Sequence, residues 1–202
     1  MKGLYLVTPD SDDTERLVAI TEQAIRGGAS LLQYRHKTAD AALRHEQASA
    51  LLKLCRRRNV PLIINDHLDL CVAIDADGIH VGGTDASVAS MRGHLGSSKI
   101  VGASCYGDLQ LAREAQASGA SYLAFGGFYP SRVKKYDVTT SPDIITKALA
   151  EFKIPLCVIG GMTPENSQVL IDRGAHMVAA ISSVYSAVDP HAAAIKFADM
   201  FR

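Results

Sequence analysis

A chain of 202 residues, 48% hydrophobic and 21% charged, is enough for one globular domain with a substantial core. Lys plus Arg and Asp plus Glu balance at 21 each, which excludes a chain-wide field for nucleic acid or a membrane surface and makes any anion site local. No apolar run reaches the roughly 20 residues needed to span a bilayer, and the first residues enter a strand-like segment with no signal-peptide pattern. Cys55, Cys71, Cys105 and Cys157 are scattered without a paired spacing. Buried free thiols in a reducing cytoplasm are therefore expected, not a disulfide framework.

In chain order, the apolar runs are Leu4-Val7, Ser30-Arg35, Pro61-Asn65, Gly78-Val81, Lys99-Ser104, Tyr122-Phe128, Pro155-Ile159 and Met177-Ile181. They are too short for most helices and suit strands buried on both faces. The segments between them read as helices. Asp12 and Asp13 offer caps to the first, where Leu17, Ile20, Ala24 and Ile25 recur at helical spacing before Gly27-Gly28 stops it. A second helix is predicted from about Asp40 to Arg58. Thr163-Pro164 opens the seventh, with Thr as N-cap and Pro in the first turn.

Eight strand–helix units predict a parallel sheet with right-handed crossovers. Eight such strands close into an α/β, single (β/α)8 TIM barrel without edges; an open doubly wound sheet is the alternative. No low-complexity linker interrupts the pattern, so residues 1–202 are read as one domain.

Active sites of such barrels lie at the C-terminal ends of the strands. The second strand ends in Gln33, Arg35 and Lys37, which alternation places on one side, with Tyr34 and His36 on the other. Two cations there call for an anion, because unpaired buried charge is costly; a solvent-facing salt bridge is the bland reading. The third strand runs into Asn65-Asp66, and the fourth is followed by Asp85. Each Asp reads as a helix cap, Asp66 for a helix from His67 and Asp85 for one from near Ala86. Together, beside a cationic strand, they read as ligands of a hard divalent cation such as Mg2+. Ser104 ends the fifth strand and offers a hydroxyl. His80, inside the fourth, reads as a satisfied core or mouth residue. After the sixth strand, Gly126-Gly127 and the loop Ser131, Arg132, Val133, Lys134, Lys135 suit a phosphate, or are simply a basic surface loop. Gly160-Gly161 and Ile181-Ser182 end the seventh and eighth strands, where this fold commonly binds phosphate.

In joint order, these motifs resemble the thiamine phosphate synthase (thiamine-phosphate pyrophosphorylase) family over nearly the whole chain. They are the Gln-x-Arg-x-Lys strand end, Asn-Asp, and Ala-Asp-Gly-Ile-His-x-Gly-x-x-Asp, then Gly-x-Ser, Tyr-Pro-Ser with Lys-Lys, Ile-Gly-Gly and Ile-Ser. The resemblance implies a transferase acting on small molecules. It would condense 4-amino-2-methyl-5-hydroxymethylpyrimidine pyrophosphate with 4-methyl-5-(2-phosphoethyl)thiazole by a dissociative, Mg2+-assisted route. Gln33, Arg35, Lys37, Asn65, Ser104 and Lys134 then correspond to the pyrimidine pyrophosphate site, with Arg35, Lys37 and Lys134 stabilising the departing charge. Asp66 and Asp85 correspond to the Mg2+ ligands. Ser131, Arg132, Val133, Gly161, Ile181 and Ser182 correspond to the thiazole-phosphate site. The chain departs from the family pattern at Gly83, Tyr106, Gly127, Ser131 and Val133, where Gln, His, Pro, Thr and Thr are common.

Three other readings compete. A thiazole tautomerase of the same fold has no need of the Arg35/Lys37 and Asp66/Asp85 set, and Tyr106 is a poor base at neutral pH. Another sugar-phosphate barrel enzyme accounts for the last two loops but not for the paired Asp residues. A non-catalytic binder of thiazole or thiamine phosphate would bind pyrophosphate with Mg2+ and not turn over.

Overall fold

The computed structural model describes residues 1–82, 87–130 and 140–202. Among these, eight strands alternate with helices: β1 (Gly3–Val7), α1 (Thr14–Arg26), β2 (Ala29–Tyr34), α2 (Ala41–Arg58), β3 (Leu62–Asn65), α3 (Leu68–Ala73), β4 (Gly78–Val81), α4 (Val88–Leu95), β5 (Ile100–Tyr106), α5 (Leu109–Ala117), β6 (Tyr122–Gly126), α6 (Asp143–Glu151), β7 (Leu156–Ile159), α7 (Pro164–Asp172), β8 (Met177–Ala180), α8 (Ser182–Tyr185) and α9 (Pro190–Asp199). The strands pair in sequence order, all parallel, and β1 closes on β8 through the register Gly3–Met177 to Leu6–Ala180. The closed barrel is the predicted fold, and the open sheet is excluded. Among the described residues, no helix is long and apolar enough to cross a membrane.

Closure gives each strand an inside and an outside, and the two-residue alternation sorts its side chains between them. Tyr5, Val7, Leu31, Ile63, Tyr122, Ala124, Cys157, Met177 and Ala179 form the core inside the barrel. Their neighbours, among them Leu4, Leu6, Leu32, Leu62, Ile64 and Leu123, pack outward in a larger core with the helices. Burial on both faces explains why these strands read as continuous apolar runs.

Local chemistry sets the helix starts. Asp13 accepts from the Arg16 amide and Asp40 from that of Leu43. Thr163 and Asn166 form a reciprocal capping box with Pro164 in the first turn. At the far end of α2, Asn59 takes the left-handed conformation that ends helices. The cap readings of the two metal-candidate aspartates are not what the helices use. The cap position of α3 is His67, without a side-chain cap bond, and α4 is capped by Ser87 on the Ser90 amide. Asp85 lies outside the described residues.

All four cysteines are free and buried, as expected. Burial pushes the Cys55 and Cys105 thiols up to about 12 and Cys71 to about 11, and raises Cys157 as well. In the unfolded chain such thiols titrate near about 8.5. From there up to about pH 11 to 12 the unfolded state releases protons that the folded state keeps, so stability should fall as pH rises through that window. At pH 8 a chromogenic thiol reagent should meet no fast-reacting group in the native protein, and all four thiols once urea has unfolded it. Urea midpoints at pH 8 and pH 10 check the direction of the stability change.

Candidate active site

The C-terminal mouth of the barrel opens into a cavity to which every strand or its following residue contributes. Its polar wall carries Tyr5, Gln33, Arg35, Lys37, Asn65, Asp66, His80 and Ser104. Opposite stand Ala124, Cys157, Ile159, Ala179 and Ile181, a mostly apolar wall from β6, β7 and β8 and the residue after β8. The alternation on β2 is as expected. Gln33, Arg35 and Lys37 line the cavity, whereas the Tyr34 hydroxyl turns outward to donate to Gln47 Oε1 at 3.0 Å. His36 is also buried on the outer side, its ring nitrogens meeting the amides of Ser11 and Ala39.

Arg35 is held twice. The buried Thr8 hydroxyl donates to the Arg35 carbonyl and accepts from the Arg35 amide, both at 2.8 Å. The Asp10 carboxylate accepts from Arg35 Nη1 at 3.2 Å and from the Lys37 amide at 3.0 Å. The anion demanded by the cationic strand end is thus partly internal, a residue of the loop after β1 that sequence reading missed. Lys37 itself is exposed, and among the described residues it makes no ion pair. A second charge therefore lines the mouth with no ion pair among the described residues.

Asp66 follows β3 in the left-handed region, φ 61°, with its amide on the His80 carbonyl at 2.9 Å. This backbone position turns the carboxylate beside Asn65, whose Nδ2 donates to it at 2.6 Å. The Asn-Asp pair is therefore a single unit at the mouth. Among the described residues, no group of three or more His, Cys, Asp and Glu side chains is placed to hold a metal. Mg2+ ordinarily takes only one or two protein carboxylates, the rest of its shell coming from water and phosphate. Asp66, close to Arg35 and Lys37 on the same wall, fits half of such a set.

Below the mouth lies a hydrogen-bonded row. Gln33 Nε2 donates to the Tyr5 hydroxyl at 2.7 Å, which meets the Tyr122 hydroxyl at 2.7 Å. Tyr122 meets His80 Nδ1 at 2.8 Å, and His80 Nε2 meets Ser104 Oγ at 2.9 Å. His80 is the satisfied residue the sequence suggested. Tyr5 and Tyr122 were not singled out, although the period of their strands points both inward.

On the other side, Gly160 and Gly161 have φ of 105° and 66°, and a side chain at 161 would run into the Pro130 carbonyl. Ile181 lines the cavity; Gly161 and Ser182 are outside the set that lines it. A short helix, α8, follows β8, and at its start the buried Ser183 Oγ has no hydrogen-bond partner among the described residues. An orphaned hydroxyl there is what a phosphate oxygen would satisfy. Ser131, Arg132, Val133 and Lys134 lie, like Asp85 and Gly83, outside the described residues. Tyr106 follows a bulge in β5 with φ 51° and is largely exposed at the rim.

The model of the thiamine monophosphate synthase family matches residues 4–184. The chain belongs to this family. It is 66% identical over 201 residues to the thiamine-phosphate synthase of Janthinobacterium sp. (strain Marseille), covering 100% of this chain and 97% of that one. It is 46% identical to that of Nitrosospira multiformis, over 99% of this chain and 86% of the relative. Among solved structures, thiamine phosphate pyrophosphorylase from Pyrococcus furiosus superposes with a TM-score of 0.85 at 29% identity, covering 98% and 95% of the two chains. A 3-hexulose-6-phosphate synthase matches at 0.74 but 19% identity, a likeness of fold alone. Family membership makes the chain a transferase enzyme.

Thr8→Val keeps the size of this buried side chain and removes both bonds to the Arg35 backbone. It should lower unfolding free energy by about 1–3 kcal/mol, the cost of stranding buried polar groups, read from urea denaturation with an unchanged slope.

Proposed function

We propose that the chain joins 4-amino-2-methyl-5-hydroxymethylpyrimidine pyrophosphate to 4-methyl-5-(2-phosphoethyl)thiazole, giving thiamine phosphate and pyrophosphate, or to its carboxylated form, giving the same products and carbon dioxide. One observation carries this reading: Gln33, Arg35, Lys37, Asn65, Asp66 and Ser104 converge on one wall of a cavity whose other wall is apolar, in a chain of this family. Polar groups on one side suit the heterocycle edge and its pyrophosphate. The apolar side suits the face of a second ring, with its phosphate toward Gly161, Ile181, Ser182 and the orphaned Ser183 hydroxyl.

The chemistry needs no protein nucleophile. The bond from the pyrimidine methylene carbon to the pyrophosphate oxygen breaks, with the electron pair leaving on pyrophosphate. The thiazole nitrogen then gives its lone pair to the methylene carbon, so a C–N bond replaces the C–O bond. The cavity-lining Cys157 thiol is held protonated by burial and is no competitor for that carbon. Arg35, preorganised by Thr8 and Asp10 so that little reorganisation is required, and the solvated Lys37 stabilise the departing charge. Lys134, with Ser131, Arg132 and Val133, is assigned to the same mouth from the sequence pattern. Asp66 and Asp85 would hold Mg2+, which when bound supplies charge neutralisation to the leaving pyrophosphate. A cytoplasmic setting is part of this reading and agrees with four free thiols.

The test mixes protein and both substrates with Mg2+ or with EDTA and follows thiamine phosphate and released pyrophosphate. Equal amounts of both, dependent on Mg2+, are expected. Folded protein that yields neither product sinks the reading and leaves the tautomerase and the silent binder. Arg35→Ala should lower kcat by about 10²–10³-fold, the usual effect of losing one preorganised transition-state contact; an unchanged rate would remove Arg35 from the reaction. Asp66→Ala and Asp85→Ala should each weaken Mg2+-dependent binding of inorganic pyrophosphate in calorimetry, and full binding by either variant would take that residue out of the metal site.

A further inference from the structure

Behind the cationic end of β2, on the side of the strand away from the cavity, lies a second set of contacts. Gln47, on α2, is fully buried, and its side-chain amide is used at both ends. Its Oε1 accepts from the Tyr34 hydroxyl at 3.0 Å, and its Nε2 donates to the Ser11 carbonyl at 2.8 Å. Burial pushes the Tyr34 phenol up to about 12, so Tyr34 keeps its proton and can donate. Turned over, the Gln47 amide would set its oxygen against the Ser11 carbonyl, two acceptors facing each other in a buried place. The loop that Gln47 holds therefore fixes how Gln47 stands.

His36 holds the same loop from the strand side. In its buried ring, Nδ1 is 3.0 Å from the Ala39 amide and Nε2 is 3.2 Å from the Ser11 amide and 3.3 Å from Asp12 Oδ1. Every protonation state of the ring joins it to the loop after β1. With Nε2 bare, it accepts from the Ser11 amide, and Nδ1–H faces Asp10 Oδ1 at 4.0 Å. With Nε2 protonated, it donates to Asp12, whether or not Nδ1 also carries a proton. Asp10 precedes these residues, and its carboxylate accepts from Arg35 Nη1 and from the Lys37 amide. A hold on Ser11 or Asp12 thus sets where that carboxylate stands. Asp10, Ser11 and Gln47 are outside the set of residues that line the cavity, so they act on it through Arg35 and Lys37. Alternation makes this possible: β2 and its extension send Arg35 into the cavity, and Tyr34 and His36 to the helix and loop behind.

We propose that Gln47 and His36 are positioning residues of the enzyme, clasping the loop after β1 so that Asp10 aims the Arg35 guanidinium at the anionic group of the substrate. An arginine side chain loses much rotational freedom when it is held. The clasp meets that loss during folding, before the anion arrives, and the anion then binds a charge already in place. Cutting the clasp leaves Arg35 present and charged but no longer held, so the loss falls on anion binding through Arg35. This rests on the reading that Arg35 meets the pyrophosphate.

The experiment measures, by calorimetry with Mg2+, the dissociation constant of inorganic pyrophosphate for the unaltered protein, Gln47→Met, Arg35→Ala and the double variant. Urea midpoints check that each is folded, and thiamine phosphate formation by the unaltered protein is followed separately. Gln47→Met keeps the length of the side chain and removes both of its bonds. It should weaken pyrophosphate about fivefold or more, part of the strength of one charge-assisted contact. With Arg35 already replaced by alanine, the same change should alter binding by less than about twofold, because the two residues act through one contact. A purely structural role would weaken both backgrounds alike. His36→Phe keeps a flat buried ring and should show the same dependence on Arg35, which keeps the test open if Gln47→Met does not fold. Folded variants that bind pyrophosphate as the unaltered protein does, or that lose equally in both backgrounds, overturn the clasp and leave the proposed reaction standing. An unaltered protein that binds pyrophosphate but forms no thiamine phosphate loses the reaction, and the four dissociation constants still decide the clasp. If it neither binds pyrophosphate nor forms product, Arg35 has no such anion to meet, and the clasp falls with the reaction.

Discussion

Parallel closure of the barrel is the constraint from which the rest follows. Once β1 pairs with β8, no strand has a free edge, and every second side chain is committed to a narrow interior. That interior is filled by apolar groups below and is left polar toward the C-terminal mouth. The backbone ladder supplies no partners for the polar side chains, so they must satisfy one another. The result is a floor in which tyrosine, histidine, glutamine and serine from β1, β2, β4, β5 and β6 form one connected row.

The same closure explains why the cationic end of β2 is stable before any substrate arrives. Arg35 sits in a part of the molecule where an unpaired charge would be costly. Asp10, across the β1–β2 pair, accepts from its guanidinium, and Thr8 pins its backbone on both sides. Lys37, further out and exposed, needs no such support. Arg35 is a fixed charge and Lys37 a solvated one, two different contributions to the proposed anion site. The opposite wall has little polar chemistry until the last two loops, where paired left-handed glycines and the buried Ser183 hydroxyl lie.

Much of this was legible in the chain. Eight short apolar runs, separated by segments that read as helices, are a local signal, because strand and helix periods are set residue by residue. The phase of Gln33, Arg35 and Lys37 was equally local and holds in the structure. Asp66 was ambiguous, since an Asp before a helix is chemically suited to capping. Only the backbone resolves it: a left-handed φ aims the carboxylate at Asn65, one residue before the true cap position. Asp10 and Thr8 carried no signal, because their partners lie 25 and 27 residues away. Tyr5 and Tyr122 were not singled out; by burial they are core aromatics, and that their hydroxyls meet across 117 residues is a fact of the closed barrel.

The sequence by itself determined the element order, the inward phase of β2 and the residue types at the mouth, because alternation, capping and turn chemistry act over a few residues. Tertiary structure alone decided which of those residues touch. Closure brings strands distant in the chain within hydrogen-bond reach, and burial then forces each polar group to find a partner. The ring of contacts around Arg35 and the connected row beneath Gln33 and Ser104 arise from that requirement, which no local pattern encodes.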